Sequence, residues 1–206
     1  MTSILKVDTI QDADGNNIIN ESGNTITVGA SGDTTNVIGT LNKDGVAVAN
    51  TPAFDTHLNS NSSNISMGVQ TKIGYDTETY DVGGCYNNTG STVTLNGLSA
   101  PAHSFVPNVS GKYFFYATAR IDSSSNFPHD AYFYFFKNGS AFRQFQRLDQ
   151  SSDFSGNIQM STAIELNGTG DYVQVYIELY NGVSVFIAGA TNGSKTSFGG
   201  YKLIGV

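Results

Sequence analysis

The fold of this chain is decided by one stretch, Ser104-Phe-Val-Pro-Asn-Val-Ser-Gly-Lys-Tyr-Phe-Phe-Tyr-Ala-Thr-Ala-Arg-Ile-Asp122. Pro107 fixes φ in its first half and Gly111 can adopt a positive φ, so these residues predict a turn. The run from Lys112 to Ile121 is rich in aromatic and β-branched residues, which suit a pleated strand. We therefore expect the chain to be organised around a long strand that follows this turn.

Side chains alternate across a strand, so the two faces of this stretch can be considered separately. One face carries Tyr113, Phe115, Ala117, Ala119 and Ile121, and the other carries Phe114, Tyr116, Thr118 and Arg120. An antiparallel strand with one solvated face should alternate apolar with polar residues, yet both faces here hold aromatic rings. We expect one face to be buried inside the domain and the other against a further copy of the chain.

Composition narrows the class of protein and its partners. The 206 residues give room for one domain with a substantial core and a smaller appendage. Only 13 % of the residues are charged and 23 are glycine, which is typical of a turn-rich all-β protein. A net charge of −7 provides no basic footprint for nucleic acid or an anionic membrane. Partners should therefore be neutral or basic.

The cysteine count and the apolar runs bear on compartment. The single cysteine, Cys85, cannot form an intrachain disulfide, and we expect it to be a buried, small apolar residue. The opening residues from Met1 to Lys6 lack a basic segment followed by an apolar one, and no run approaches the ~20 apolar residues of a membrane span. We expect synthesis in a cytoplasm and no membrane insertion.

Residues 1 to 50 are low in aromatics and indicate a series of very short strands. The predicted strands are Ile4–Ile10, Asn17–Asn20, Thr25–Val28, Asn36–Leu41 and Val46–Ala49. Strands this short cannot bury enough surface to fold alone, so neighbouring copies must supply the missing core, as in an intertwined β-stalk. The alternative is a flexible linker, against which stands the persistent spacing of Ile, Val and Leu.

Composition changes at Asn50-Thr-Pro52, because every Phe and Tyr lies after it. The predicted strands of 51–206, besides the central one, are Ala53–Leu58, Gly68–Ile73, Gly84–Asn87, Thr92–Leu95, Ala131–Lys137, Ala141–Leu148, Ile158–Leu166, Tyr172–Leu179, Ser184–Ala188 and Ser197–Ile204. Asn138-Gly139 is a strong hairpin signal between two of them. So many strands at regular spacing, with no helix pattern, predict a β-sandwich or jelly roll.

Five blocks of this region resemble, in order and spacing, the globular head of complement component 1q and its tumour-necrosis-factor-like relatives. They are Phe105-x-Pro107-x-x-x-Gly111-x-Tyr113-x-Phe115, Phe136-Lys-Asn-Gly139, Thr162-Ala-x-x-x-Leu166, Gly170-Asp-x-Val173 and Ser197-Phe-x-Gly-Tyr201-x-Leu203. The resemblance implies a ten-stranded jelly roll that forms a homotrimer around a three-fold axis. It also implies an interface between protomers, for which the candidates are Phe114, Tyr116, Tyr132 and Tyr134. The calcium-ligating positions of some members cannot be mapped onto this chain, so Ca²⁺ stays an alternative without a supporting motif, and no cofactor is expected.

The opening of the chain resembles a different class of protein. Ser3-Ile-Leu-Lys-Val-Asp-Thr-Ile10, followed by Asp14-Gly, is similar to the start of tailed-phage fibre and fibre-like virion proteins, whose N-terminal segment docks on the particle. The resemblance implies a virion location and contacts to other virion proteins. The apolar residues available for that attachment are Ile4, Leu5, Val7 and Ile10.

Three functions are compatible with these features. The first is a trimeric fibre whose head recognises a host glycan or outer-membrane protein through two loops. These loops are Asp122–Asp130, with Phe127 and His129 exposed beside Asp130, and Gln150–Gly156, which contains Asp153. The second is a capsid decoration or fibre-adaptor protein that binds other virion proteins.

The third is a polysaccharide-cleaving fibre enzyme, which the residue pattern supports least. The histidines His57, His103 and His129 show no metal-ligand spacing and no nucleophile motif lies near them. Two groups of loop carboxylates could form the pair that glycoside cleavage needs, or a weak calcium site, although turn residues are the commoner role. They are Asp76, Glu78 and Asp81, and Asp149 with Asp153. We therefore expect no enzymatic activity.

Overall fold

A computed structural model describes residues 9–11, 13–14, 17–22, 25–28, 31–38, 41–43, 46–47, 49–148 and 156–204. The chain divides into two compact units, Met1–Val48 and Ala49–Val206, which we call the N-terminal unit and the head. Within the described residues every regular element is a β-strand. No helix in that part of the chain is long and apolar enough to cross a membrane.

The described residues of the N-terminal unit form five short strands. Three of them, β1 (Thr9–Gln11), β2 (Asn17–Ser22) and β3 (Thr25–Val28), form an antiparallel sheet, and β4 (Asn42–Lys43) pairs with β5 (Val46–Ala47). These strands are two to six residues long, and large aliphatic side chains on and between them remain exposed. The exposed ones are Ile10, Val28, Val37, Ile38 and Leu41.

One predicted strand of this unit is wrong. Residues 36–38 and Leu41 lie outside any strand, and the pairing begins one residue later, at Asn42. The side chains of 33–38 are all exposed, so no neighbouring surface holds this segment extended. The attachment residues Ile4, Leu5 and Val7 lie outside the described residues, whereas Ile10 is an exposed residue of β1.

The head consists of two six-stranded antiparallel sheets and a small hairpin. Its strands are β6 (Ala53–His57), β7 (Thr71–Lys72), β8 (Thr77–Val82), β9 (Tyr86–Asn87), β10 (Val93–Leu95), β11 (Leu98–Ala100), β12 (Ser104–Phe105), β13 (Gly111–Asn126), β14 (Asp130–Lys137), β15 (Ser140–Leu148), β16 (Gly156–Leu166), β17 (Val173–Tyr180), β18 (Val183–Ala188) and β19 (Ser197–Lys202). Sheet 1 has the order β16-β13-β19-β6-β8, with β18 also pairing with β13. Sheet 2 has the order β15-β14-β17-β12-β9, with β7 also pairing with β17. The head is a jelly-roll sandwich, with ten strands along the two paths of the described chain.

The core lies between the sheets and is lined by the inward face of β13. Tyr113, Phe115, Ala117, Ala119 and Ile121 are all buried, which confirms the predicted inward face of the central strand. Aromatic rings from four other strands, and that of Tyr113 on β13 itself, pack around Phe115 in the interior. They are Phe54, Phe105, Tyr113, Phe135 and Phe198, with ring centroids 5.7–6.4 Å from that of Phe115. Full burial of such a ring stabilises the fold by about 1.5–3 kcal/mol.

Strand register places the turns of the head at two opposite ends. Ala53 pairs with Tyr201, and Gly111 pairs with Leu166, so the chain enters the head beside these residues. Lys137 donates from Nζ to the carbonyl of Glu165, which brings the 138–139 turn to the same end. At the other end β13 runs on to Asn126 beside Val183, and Asp130 pairs with Tyr180. We call these the entry end and the far end of the head.

Several local predictions are confirmed by the head. The Asn138-Gly139 turn joins β14 to β15 with φ values of 52° and 77°, which are the two positive angles of a type I′ hairpin. Cys85 is buried, and this burial raises the pKa of its thiol, as expected for an inert, small apolar residue. The inward residues of β17 are buried as the alternation of the Tyr172–Leu179 run predicted.

Other predictions for the head are corrected. Residues 122–126 are not part of a loop, because β13 continues through them and pairs with β18, whose Val185 and Ile187 are buried. Strand β7 covers only two residues of the predicted Gly68–Ile73. Strands β8, β11 and β12 were not predicted, since they are short or carry polar residues that lack a period-two pattern.

Candidate functional site: the two outer faces of the head

The outer face of sheet 1 carries an aromatic surface built on β13 and β19. Phe114 lies opposite Tyr201 in the register, with ring centroids 5.7 Å apart, and Tyr116 lies opposite Gly199. Phe114 and Tyr116 are half-buried, and Tyr201 keeps 36 % of its surface exposed. Cross-strand aromatic pairs stabilise a sheet, but these rings still present apolar area to water.

Two glycines of β19 allow rings on both faces of the sheet. A Cβ at Gly199 would overlap the ring and hydroxyl of Tyr116 on the outer side. A Cβ at Gly200 would lie 2.6 Å from Cδ1 of Phe115 on the inner side. The adjacent aromatic residues of β13 thus lie over adjacent glycines of β19, which explains the Gly-Gly pair in this strand.

The Tyr116 ring is fixed by its hydroxyl group, which donates a hydrogen bond of 2.9 Å to Oδ1 of Asp55. Partial burial and the negative charge of Asp55 raise the pKa of Tyr116 well above its usual value. Beside it lies an open groove of ≈ 420 Å³ on the outer side of β13 and β16. The groove is lined by Phe114, Tyr116, Ala117, Thr118, Gln159, Met160 and Ser161. Sheet 1 therefore offers a concave surface with aromatic and polar parts.

The outer face of sheet 2 carries a second group of rings, on β14 and β17. Tyr132 and Tyr180 meet edge-to-face at 5.7 Å and 74°, and Phe136 stacks on Tyr176 at 4.1 Å. Tyr134 lies between Tyr132 and Phe136, with centroid distances of 6.5 and 5.8 Å. We call these five residues the sheet 2 ring cluster.

One carboxylate, Glu178, sits within the sheet 2 ring cluster. Its Oε2 accepts a hydrogen bond of 2.8 Å from the Tyr134 hydroxyl, and its Oε1 accepts one of 2.5 Å from the Tyr180 hydroxyl. These hydrogen bonds, of which the one from Tyr180 has the larger effect, hold the pKa of Glu178 below its usual value. Burial and the bond to Glu178 raise the pKa of Tyr134 to about 12. At neutral pH the site therefore combines a fixed anion with neutral phenol groups.

The predicted interface residues thus lie on opposite sides of the sandwich. Phe114 and Tyr116 belong to the outer face of sheet 1, whereas Tyr132 and Tyr134 belong to that of sheet 2. Tyr134 is only 5 % exposed, because neighbouring rings of its own chain cover it, so it has little surface left to bury against a partner. Sequence reasoning missed Glu178, although the alternation in β17 places it on the outward side.

The predicted recognition loops also change. Phe127 is half-buried, so the expectation that it is exposed is wrong. Its large apolar ring follows the end of β13 and packs against the core. His129 is half-buried, and its backbone N–H donates to the carbonyl of Tyr180. Asp130 begins β14, and Asp153 lies outside the described residues. Exposed residues at the far end are instead 124–126 and Val183.

Two of the remaining candidate carboxylates, Asp76 and Asp81, have local hydrogen-bond partners, and Asp149 lies outside the described residues. Oδ1 of Asp76 accepts from the N–H of Asn59, and Oδ2 of Asp81 accepts from the N–H of Tyr86. Burial and the nearby Asp81 raise the pKa of Glu78. Among the described residues, no group of three or more His, Cys, Asp or Glu side chains could hold a metal ion.

Comparison with known proteins gives distant structural likenesses alone. No family model matches the chain, and no curated protein matches it. A globular domain of zebrafish complement 1qA protein is similar to 74 % of this chain and 98 % of its own, at 14 % identity and a TM-score of 0.49. Murine APRIL is similar over 73 % and 98 %, at 15 % identity and a TM-score of 0.49. The Eiger TNF of S. frugiperda is similar over 75 % and 95 %, at 14 % identity and a TM-score of 0.46. The jelly-roll assignment rests on the strand order of this chain itself.

Proposed function

We propose that this protein is a phage virion structural protein, a trimeric fibre whose head recognises the host cell surface. It acts by binding and not by catalysis. The observation that carries the proposal is the outer face of sheet 1, where Phe114, Tyr116 and Tyr201 remain partly exposed beside a groove. Exposed aromatic surface of this kind is typical of a protein interface.

A second copy of the chain is the occupant that fits this face. Phe142 and Phe145 are exposed on the edge strand β15, which belongs to the other sheet. Contact between two different surfaces of identical chains is heterologous, and such contacts close into a ring when the rotation permits. Three copies of the head would bury apolar groups on both surfaces.

The N-terminal unit supports the same assembly by a separate route. Its exposed aliphatic residues, including Ile38 and Leu41, have little to pack on within one chain. Parallel copies in a stalk would bury them, and the segment before Thr9 would then dock on the particle. The chain enters the head at the entry end, so the far end is the part of the head free to reach a cell surface.

The assembly is tested by the mass of the purified protein in solution. We expect a trimer, and we expect Phe114→Ser and Tyr116→Asp to give monomer or aggregate, because each removes or charges a side chain worth ~1.5–3 kcal/mol when fully buried. Tyr180→Ser on β17, which lies neither on the outer face of sheet 1 nor on β15, is the control and should leave the trimer intact. Intact trimers in both sheet 1 variants would show that this face is not the interface.

Host recognition is tested by binding of the purified protein to susceptible cells and by imaging of the particle. We expect binding that falls when the exposed far-end residues 124–126 are replaced by alanine. We also expect the head to be seen at the tip of a tail appendage. A head seen on the capsid, with no binding to cells, would reject host recognition in favour of a decoration role.

A further inference from the structure

We propose that the outer face of sheet 2 binds an arginine or lysine side chain of a protein partner, at the carboxylate of Glu178. This inference deepens the proposed function, because it rests on the head being the part that recognises a partner. Besides the far-end residues 124–126, it assigns a contact to the sheet 2 ring cluster and states the chemistry of that contact. The site lies on β14 and β17 of sheet 2, whereas the proposed contacts between copies use the outer face of sheet 1 and the edge strand β15.

The geometry of Glu178 is fixed before any partner arrives. Its Oε2 accepts a hydrogen bond from Tyr134 at 2.8 Å, its Oε1 accepts one from Tyr180 at 2.5 Å, and the Gln70 side chain also hydrogen-bonds to Glu178. A carboxylate has about four acceptor positions, so about one remains for a ligand. The two bonds also restrain the tyrosine rings, which lowers the entropy that binding has to overcome.

No ion pair among the described residues neutralises the charge of Glu178. The ion pairs of the described residues join Arg120 to Asp122 and Lys137 to Asp171, and neither involves Glu178. Lys72, on the strand next to β17, donates from Nζ to the carbonyl of Ala102. The low pKa of Glu178 agrees with a carboxylate that is ionised at neutral pH. A fixed anion of this kind selects a cationic group.

The rings around Glu178 favour a cation with an apolar stem. Tyr180 is exposed, and Tyr132 stands nearly perpendicular to it, with its hydroxyl held by Nε2 of Gln146 at 2.7 Å. A guanidinium or ammonium group is attracted to the face of a tyrosine ring, and its aliphatic stem can cover the apolar part. Guanidinium adds a planar fork that pairs with a carboxylate, so arginine should bind best. Tyrosine-rich surfaces are also typical of protein interfaces, which points to a protein as the source of the cation.

The experiment uses the full chain with N-acetyl-arginine amide as the probe and its neutral isostere N-acetyl-citrulline amide as the comparison. Binding is followed by NMR shifts of the backbone amides of β17. We expect saturable binding of the arginine probe and about tenfold weaker binding of the citrulline probe, as the loss of one charge-assisted hydrogen bond implies. Glu178→Gln should abolish this preference. Glu165→Gln, which removes an exposed carboxylate from sheet 1, should keep it.

Tyr180→Phe provides a second variant if Glu178→Gln fails to fold, because it keeps the ring and removes one restraint on the carboxylate. It should weaken the preference for arginine without abolishing it. Equal binding of the two probes, no binding of either, or an unchanged preference in Glu178→Gln would overturn the proposal. Cell binding that survives Glu178→Gln would reject this site as the recognition surface and leave host recognition standing. An arginine preference in a protein that binds neither cells nor particles would reject the proposed function alone.

Discussion

The N-terminal unit and the head treat the same kind of side chain in opposite ways. Ile38 of the N-terminal unit is 95 % exposed, whereas Ile121 of the head is fully buried. The head closes two sheets over its aliphatic and aromatic residues, whereas the strands in the described part of the N-terminal unit are two to six residues long. Strands that short bury too little surface to be stable alone.

This difference in side-chain exposure indicates where each unit obtains its stability. The head buries its core residues between its own two sheets, and its partly exposed aromatic rings lie on the outer faces. Further copies therefore bind to a head that is already folded. In the N-terminal unit the large aliphatic side chains whose exposure the structure describes are exposed, so we expect this unit to gain most of its buried area from other chains. Assembly should therefore be a condition of folding for the N-terminal unit and a consequence of folding for the head.

The largest expected effect comes from the same substitution made in the two units. Ile121→Ala should reduce the free energy of unfolding by about 2–5 kcal/mol, because it leaves a cavity in the core. Ile38→Ala should change it by less than about 0.5 kcal/mol, because the Ile38 side chain is 95 % exposed. Urea unfolding followed by tyrosine fluorescence measures this, since every Tyr lies in the head and the chain has no Trp. Equal losses in the two variants would remove the distinction between the units.

Much of the head could be predicted because its signals are local. The alternation of Tyr113, Phe115 and Ile121 marks the inward face of the central strand, and Asn138-Gly139 fixes a hairpin from two residues. The extension of β13 to Asn126 could not be found this way. Its Asp-Ser-Ser-Ser-Asn sequence has low strand propensity, and only pairing with β18, far along the chain, makes it a strand.

The candidate surfaces were harder to predict, because which sheet a strand joins is a nonlocal property. Tyr116 and Tyr132 look alike in sequence, as outward aromatics on neighbouring strands, yet they lie on opposite sides of the sandwich. The burial of Tyr134 depends on rings contributed by more than one strand. The Glu178 site combines hydroxyl groups from β14 and β17, so no single run of residues predicts it.

A second prediction tests whether the outer face of sheet 1 is as tightly packed as the core. Gly199→Ala should destabilise the head by about 1–3 kcal/mol, because the new methyl group meets the Tyr116 ring and the carbonyl of Phe54. Gly90→Ala is the matched control, since its added Cβ meets no atom within 4 Å. Thermal unfolding of both variants gives the comparison. A Gly199→Ala protein as stable as the Gly90→Ala protein would mean that Tyr116 moves freely and that the outer face is not preformed.

A third prediction, with a smaller expected change in stability, concerns the turns at the entry end. Side chains of the head itself hold these turns together. Asp171 accepts from Nδ2 of Asn138 at 2.7 Å and lies 3.0 Å from Nζ of Lys137. Burial raises the pKa of Asp171, but the hydrogen bonds from Asn138 and Lys137 outweigh burial, so the pKa is lowered. A lowered pKa in the folded state means that the contribution is present above the unfolded pKa of about 4 and is lost as the pH falls through the folded pKa.

The test is the pH dependence of stability in Asp171→Asn. At pH 7 the variant should be less stable by about 0.5–1 kcal/mol, the range of an exposed ion pair. The gap to the unchanged protein should close as the pH falls below about 4, because both side chains are then neutral. Urea unfolding at several pH values measures it. A gap that stays constant down to the lowest pH would assign the effect to hydrogen bonding of the neutral group instead of to charge.

The smallest expected change in stability comes from removing the N-terminal unit. This change also tests most directly whether the two units differ in where they obtain their stability. Removal of residues 1–48 should change the unfolding free energy of the head by less than about 0.5 kcal/mol, because a domain with its own core folds independently. The two proteins must be compared at concentrations where their masses show the same oligomer, since loss of the stalk would otherwise weaken association and imitate a loss of stability. A drop of several kcal/mol under matched assembly would mean that the head borrows part of its interior from the N-terminal unit. The exposed aliphatic residues of that unit would then be explained by contact with the head, and the case for intertwined copies would lose its physical basis.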